Sequence, residues 1–352
     1  MASKQLPSTF RKLFISKISQ KFREVVQITQ EKLPNPGAGE VLVKNRYVGI
    51  NASDINHSAG RYDPTVKPPF ECGFEGVGEV AAVGPGSSVR VGQPVIYASF
   101  GAFSEYKSVP EKLLVKLPRV SADYLPLQVS GITAAIALDK LGDLKSGETV
   151  LVTAAAGGTG QFAVQWAKKA GCHVIGTCSS DEKVDFLKKI GCDRPINYKK
   201  EDLKKVLKSE YKTGVDVVYE SIGGDMFEIC FNSLKVKGRL IVIGFITDYQ
   251  TDLGFKANRM LSTMPVRLLN KSTSIRGFFL NHYVGDWKSY ITKMATMIDN
   301  KELQSFVDIG DKYPQGPFVG LDKIVDAVDY LYTQKSIGKI VVEVNKPGTS
   351  KL

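Results

Sequence analysis

The chain has 352 residues, of which 43% are apolar and 24% charged, and a formal charge of +11 at neutral pH. That length suits two domains of ordinary size, and the composition suits a globular protein with a sizeable core. No apolar run approaches the ~20 residues that span a bilayer. The lysines are scattered with no arginine-rich arm, and the five cysteines (Cys72, Cys172, Cys178, Cys192, Cys230) contain no C-x-x-C pair. A membrane span, a dedicated nucleic-acid site and a disulfide scaffold are therefore set aside, and the cysteines are expected to be free and buried.

The first 23 residues carry six Lys/Arg and no acid, the composition of a targeting presequence. The alternating stretch 14–29 reads equally as a first strand pair, leaving at most about ten residues as an appendage. Short alternating strands follow at 40–47, 76–83 and 94–98 among many Gly and Pro, an all-β, barrel-like pattern. From Leu127 the character changes: apolar strands at 150–152, 173–177, 195–197, 215–219, 239–244 and 274–279 alternate with amphipathic helices such as 161–170 and 182–190. Alternation of this kind predicts a parallel, doubly wound sheet.

The stretch 250–271 is long for a connection. Its Lys256, Arg259 and Arg267 leave two readings: a substrate-side lid that attracts a carboxylate, or a solvated excursion. A last helix over 321–334 leads to a strand at 339–344 with no evident place in that sheet, so it is expected to return to the first domain. The expected domains are 1–126 completed by 285–352, and 127–284. The final Ser350-Lys351-Leu352 matches the S-K-L address read by the peroxisomal import receptor, on a tail expected to be exposed.

The strongest local signal is Val150-Leu151-Val152-Thr153-Ala154-Ala155-Ala156-Gly157-Gly158-Thr159-Gly160-Gln161. A strand ends, small residues follow, and a helix opens. Only small residues let the backbone approach a pyrophosphate, whose charge then lies at the helix N-terminus. Gly157, Gly158, Thr159 and Gly160 are the candidate cradle of a dinucleotide. The next strand should end on an acid if the ribose carries a free 2′-hydroxyl. It ends instead on Cys178-Ser179-Ser180, and Asp181 and Glu182 suit the first turn of a helix capped by Ser179 or Ser180. Lys183, one turn in, either reaches a 2′-phosphate together with Ser179 or is an ordinary solvent lysine. The first reading selects NADPH.

On these motifs the chain resembles the medium-chain dehydrogenase/reductases along nearly its whole length. Ala154-x-x-Gly157-x-x-Gly160 is similar to the loop of the quinone and enone reductases. Gly73-Phe74-Glu75-x-x-Gly78, with Gly84 six residues on, resembles the zinc alcohol dehydrogenase signature with Phe74 in place of the histidine ligand. Asn51-Ala52-Ser53-Asp54 stands where the zinc enzymes have Cys-His-Thr-Asp, and no cysteine falls between Cys72 and Cys172 to build a structural zinc lobe. His57, His173 and His282 offer no cluster, so no metal site is expected. The resemblance implies a GroES-like β-barrel domain beside a Rossmann domain. It also implies reduction of an activated C=C bond by NADPH rather than alcohol oxidation, which loses its Lewis acid with the zinc.

Within the superfamily, Asn51 to Asn56 with Gly60-Arg61-Tyr62, Tyr219 to Gly224, Gly244-Phe245-Ile246, and Gly277 to Tyr283 resemble reductases of lipid enones. This implies 15-oxoprostaglandin 13-reductase activity. The implied cofactor contacts are Thr159, Ser179, Lys183, Tyr198, Ser221, Ile243, Tyr249, Phe278, Phe279 and Leu280, with Ser336 a weaker candidate. Asn51 and Tyr62 are the candidate catalytic residues. Tyr62 occupies the place of the proton donor in the enoyl-thioester reductases, or else only lines the site. An enoyl-thioester or quinone acceptor is the competing enzyme reading. A crystallin-like or RNA-binding relative that binds NADPH without turnover is the competing reading of another class. Sequence decides neither the acceptor nor the subunit count, and leaves a homodimer open.

Overall fold

The computed structural model describes residues 6–251 and 259–345. Lys256 and the terminal Ser350-Lys351-Leu352 lie outside the described residues. The chain divides into two compact units, Met1–Val129 with Val307–Leu352, and Ser130–Phe306.

The first unit is built on antiparallel strands that curl into a half-barrel. Strand Glu40–Gly49 is central: it pairs with Glu75–Val83, which pairs with Pro94–Ala98 and, through it, with Leu114–Lys116. Val41, Val43, Val80, Val95, Tyr97 and Val109 fill one core. The glycines of the 73–84 signature are what this packing requires. A Cβ on Gly78 would stand 2.0 Å from the Lys44 carbonyl oxygen, and one on Gly84 would stand 1.7 Å from that of Gly37. They therefore remain although Phe74 has replaced the ligand histidine of the signature.

Strand Lys339–Glu343 does return to this unit, antiparallel to Glu40–Gly49. The first strand pair lies further out than 14–29: Thr9–Ile15 pairs with Val26–Lys32. Between them Phe22–Val25 forms one helical turn whose Phe22 and Val25 are buried with Leu13 and Ile15. A helical turn supplied the apolar residues that alternation alone had assigned to strand.

The second unit is a six-stranded parallel sheet. Its spatial order is Arg194–Asn197, His173–Cys178, Thr149–Val152, Val215–Glu220, Leu234–Val242 and Ser274–Gly277. This is the doubly wound order, with the strand order reversing beside Thr149–Val152. Leu151, Ile175, Ile196, Val218 and Leu240 form its core with residues of the covering helices.

One expectation is corrected here. Residues 285–306 belong to this unit, not to the first. Helix Val284–Asp299 buries Ile291, Met294 and Ala295, Tyr290 Oη donates to Asp139 at 2.9 Å, and the Gln161 and Gln165 side chains bond the backbone of Phe306 and Gln304. The described part of the stretch 250–271 is residues 250–251 and helix Arg259–Lys271. Helix Arg259–Lys271 lies between parallel neighbours, Leu234–Val242 and Ser274–Gly277, a connection that must cross the sheet. Met264 and Leu268, four residues apart, pack on the core, and Arg267 bonds Asn232 at 2.9 Å within the same unit. All five cysteines are free and buried. Among the described residues no helix is long and apolar enough to cross a membrane.

Candidate functional site

In the second unit the candidate residues gather at the carboxyl ends of the parallel strands. After Thr149–Val152 the chain turns through Ala154, whose φ is +46°, and helix Gly160–Lys169 opens without an acid in its first turn. A Cβ on Gly160 would meet the Ala154 carbonyl oxygen at 2.4 Å and the Ala155 Cα at 2.7 Å, so glycine alone lets the helix begin this close to the strand. Gly157, Gly158 and Thr159 are half-buried at its mouth. Small residues at the positive end of a helix dipole fit a pyrophosphate.

One strand over, the parallel register pairs Cys178 with Asn197, which sets the following residues, Ser179 and Tyr198, side by side. The Tyr198 hydroxyl is hydrogen-bonded with Ser179, and burial raises its pKa. Lys183 is buried in the first turn of helix Asp181–Lys189. Ser180 is the helix cap: its Oγ accepts from Lys183 N at 3.3 Å, which leaves Ser179 outside the cap. The acid that might have read a ribose hydroxyl is engaged elsewhere. Asp181 accepts from Lys200 and, at 2.9 Å, from Asn197 Nδ2, and these partners hold its pKa low. The Ser179 and Tyr198 hydroxyls, with a buried lysine in the first turn of the next helix, are donors of the kind suited to a phosphate.

Along the same edge, Ser221 N donates to Thr153 Oγ1 at 2.9 Å and the two hydroxyls lie 3.3 Å apart. Ile243 N donates to Glu220 O at 2.7 Å, and Phe278 N to Val242 O at 3.0 Å. The Phe278 ring stacks on Tyr283 at 4.9 Å. Phe279 is exposed and Leu280 begins a short 3-10 turn. Tyr249 is buried, its hydroxyl 3.5 Å from Phe245 N.

Sequence reading passed over Glu220. Its buried carboxylate accepts from Ile222 N at 2.8 Å and Gly223 N at 3.1 Å and so shapes the turn that presents Ser221. Burial pushes its pKa up to about 7 against those bonds. The available signal was an acid ending a strand that is apolar but for Asp216. Ser336 falls in the first unit, between helix Ile324–Tyr332 and strand Lys339–Glu343 in the chain.

In the first unit the Asn51 carboxamide is hydrogen-bonded at both ends. Its Oδ1 accepts from Lys339 Nζ at 2.5 Å, and its Nδ2 donates to Glu75 Oε1 at 3.0 Å. Lys339 and Glu75 are themselves a buried ion pair at 2.6 Å, and Glu75 also accepts from Val129 N at 2.9 Å. Asn51 N donates to Asp54 Oδ2 at 2.8 Å. Burial pushes the Asp54 carboxyl up to about 8, opposed by that bond and by the Lys339 ammonium. Asn51 thus ties the 51–54 loop to the last strand, and Lys339, one lysine among many in sequence, is the residue that reading missed. Tyr62 keeps 38% of its surface exposed. Its hydroxyl is hydrogen-bonded by Asn56 and Ser53, and burial of the phenol raises its pKa. Phe74 is half-buried, packed among aromatic rings. Among the described residues no three of His, Cys, Asp and Glu are placed to share an ion.

A curled antiparallel unit carrying the altered zinc signature and a doubly wound unit with a glycine-rich phosphate cradle define the class: a medium-chain dehydrogenase/reductase whose ligand positions hold non-ligating side chains. Comparison with known proteins agrees. Residues 37–119 match the alcohol dehydrogenase GroES-like domain, and residues 158–296 match the zinc-binding dehydrogenase family. Prostaglandin reductase-3 of Mus musculus is 53% identical over 99% of this chain and 93% of its own length. A probable quinone oxidoreductase of Leishmania amazonensis is 40% identical over 96% and 99%. Escherichia coli quinone oxidoreductase, solved in complex with NADPH, superposes with a TM-score of 0.81 at 26% identity, over 95% of this chain and 99% of that one. The chain belongs to the medium-chain dehydrogenase/reductase superfamily, in its prostaglandin reductase-3 family.

Proposed function

We propose that this protein uses NADPH to reduce the C=C bond of α,β-unsaturated ketones, with 15-oxoprostaglandins as the acceptor class. The observation that carries the cofactor choice is the Ser179–Lys183–Tyr198 group beside the glycine cradle. The acceptor follows the prostaglandin reductase-3 relatives, at 53% identity over nearly the whole chain. NADPH supplies the hydride that adds to the β-carbon, and the π pair moves onto the carbonyl oxygen as an enolate. The α-carbon then takes a proton. In this reading Gly157, Gly158, Thr159 and Gly160 hold the pyrophosphate, and Ser179, Lys183 and Tyr198 hold the 2′-phosphate. Ser221, Ile243, Tyr249, Phe278, Phe279 and Leu280 orient the nicotinamide half, and Tyr62 Oη holds the proton.

The test is NADPH oxidation by purified protein with a 15-oxoprostaglandin, an enoyl-thioester and a quinone, followed by product analysis. No turnover with the enone removes the proposal. Preference for the quinone would favour the reading that the Leishmania relative supports. Lys183→Ala tests the cofactor separately. A charge-assisted phosphate contact contributes roughly 1.5–3 kcal/mol, so NADPH affinity is expected to fall ~10- to 100-fold with NADH nearly unaffected. Equal losses would take the phosphate from this lysine. The proposal also includes peroxisomal import, resting on Ser350-Lys351-Leu352 alone.

A further inference from the structure

An exposed ion pair adds little to the stability of a fold. The pair between Lys200 and Asp181 is of that kind, with both side chains more than half exposed. Its place in the second unit sets it apart. Asp181 opens helix Asp181–Lys189, two residues after Ser179, and Asn197 ends strand Arg194–Asn197, immediately before Tyr198. The two are joined across the strand ends, where Asn197 Nδ2 donates to Asp181 Oδ1 at 2.9 Å. Asn197 is buried, and its Oδ1 accepts from Lys199 N at 3.1 Å, so the carboxamide has one orientation. The Asn197 carbonyl oxygen accepts from Lys200 N and Glu201 N, both at 2.9 Å. That turn brings Lys200 to the first residue of the helix, where its ammonium donates to Asp181 Oδ2. Each oxygen of the Asp181 carboxylate thus has a fixed partner. Glu201, the next acid along the turn, is held by Arg194 at 2.7 Å.

We infer that Lys200 determines cofactor specificity through Asp181: it neutralises the acid beside the site of the 2′-phosphate and holds it on Asn197, which favours NADPH over NADH. This rests on the assignment of the 2′-phosphate to Ser179, Lys183 and Tyr198. Two residues of chain span at most about 7 Å, and a Debye length in 0.1 M salt is roughly 10 Å. A carboxylate released at Asp181 would therefore repel a phosphate held by Ser179. NADH has no charge there, so the repulsion falls on NADPH alone. An acid near this strand end is also what reads a free 2′-hydroxyl, which NADH has and NADPH lacks.

The test is fluorescence titration of the full chain with NADPH and with NADH at low salt. The proteins are wild type, Lys200→Gln, Asp181→Asn and the double variant. The readout is the ratio of the two dissociation constants, which a general loss of structure would not shift. In Lys200→Gln, NADPH is expected to bind about fivefold more weakly while NADH binds unchanged or tighter, and about 0.5 M salt should remove most of that shift. Asp181→Asn keeps an acceptor for Asn197 Nδ2 and removes the charge, so it should retain at least the wild-type preference. The double variant should return to within about twofold of the wild-type ratio, because no lone acid remains.

An unchanged ratio in Lys200→Gln would overturn the inference. So would a double variant as impaired as Lys200→Gln alone, because Lys200 would then attract the phosphate directly. Lys183→Ala, titrated alongside, separates the inference from the assignment beneath it. Selective loss of NADPH in Lys183→Ala, with no shift in Lys200→Gln, leaves the phosphate site standing and removes the role of Lys200. Equal loss of both cofactors in Lys183→Ala removes the phosphate assignment and the inference with it.

Discussion

Tyr62 is the residue at which the chemistry of this chain is most open to test. Its hydroxyl lies among the Asn56 and Ser53 side chains, and its phenol pKa is raised, so at neutral pH it holds the proton a donor must give. A positioned general acid contributes ~10²–10⁴-fold. Tyr62→Phe keeps the ring against Phe74 and removes that proton. The expected result is a fall in kcat of about 10²-fold for a 15-oxoprostaglandin, with NADPH affinity retained. A fall below about threefold would mean that water or a ribose hydroxyl protonates the α-carbon and that Tyr62 only lines the site. The position was legible because a Gly-x-Tyr follows Asn51 to Asn56. The partners were not: nothing in the order of residues says which side chain the phenol touches, or that both ends of the Asn51 carboxamide are taken by Lys339 and Glu75.

At the scale of elements, the last strand matters more than its place in the chain suggests. Lys339–Glu343 adds to the edge of Glu40–Gly49 and carries Lys339 beneath the 51–54 loop, where it meets Glu75 and Asn51 in a buried group. Removing one partner of a buried ion pair leaves the other charge without compensation, at a cost of about 3–5 kcal/mol. Lys339→Met is therefore expected to lower the melting temperature of the first unit by roughly 6 °C or more. Adding Glu75→Gln should recover most of that loss, because no lone charge remains. If the single variant melts within about 2 °C of wild type, the pair is not holding the loop. Strand and helix periods made most elements legible. Leu234–Val242 runs longer than its apolar core implied, and Phe22–Val25 is helical rather than extended, because a window of four to nine residues does not separate a short apolar helix from a strand.

For the whole molecule, Ser350-Lys351-Leu352 predicts a destination and no effect on chemistry. Deleting these three residues should shift the protein from peroxisomes to cytosol in cells while kcat/KM of the purified protein stays the same. Peroxisomal location after the deletion would refute the address, and lost activity would give the tail a second role. The sequence by itself determined the two kinds of fold, the phosphate cradle and the replacement of zinc ligands. Each of these is written in local order: strand–small loop–helix, alternation, and a signature with Phe74 in place of histidine. Only the tertiary structure decided that residues 285–306 pack with the doubly wound unit, that 259–271 is a crossover helix, and that the Asn51 carboxamide is bonded at both ends. It also decided that Lys339 is buried and that Lys200 holds Asp181. Those outcomes depend on contacts between residues tens to hundreds of positions apart. Periodicity says which face of an element is apolar, but burial and pairing are set by what that face meets.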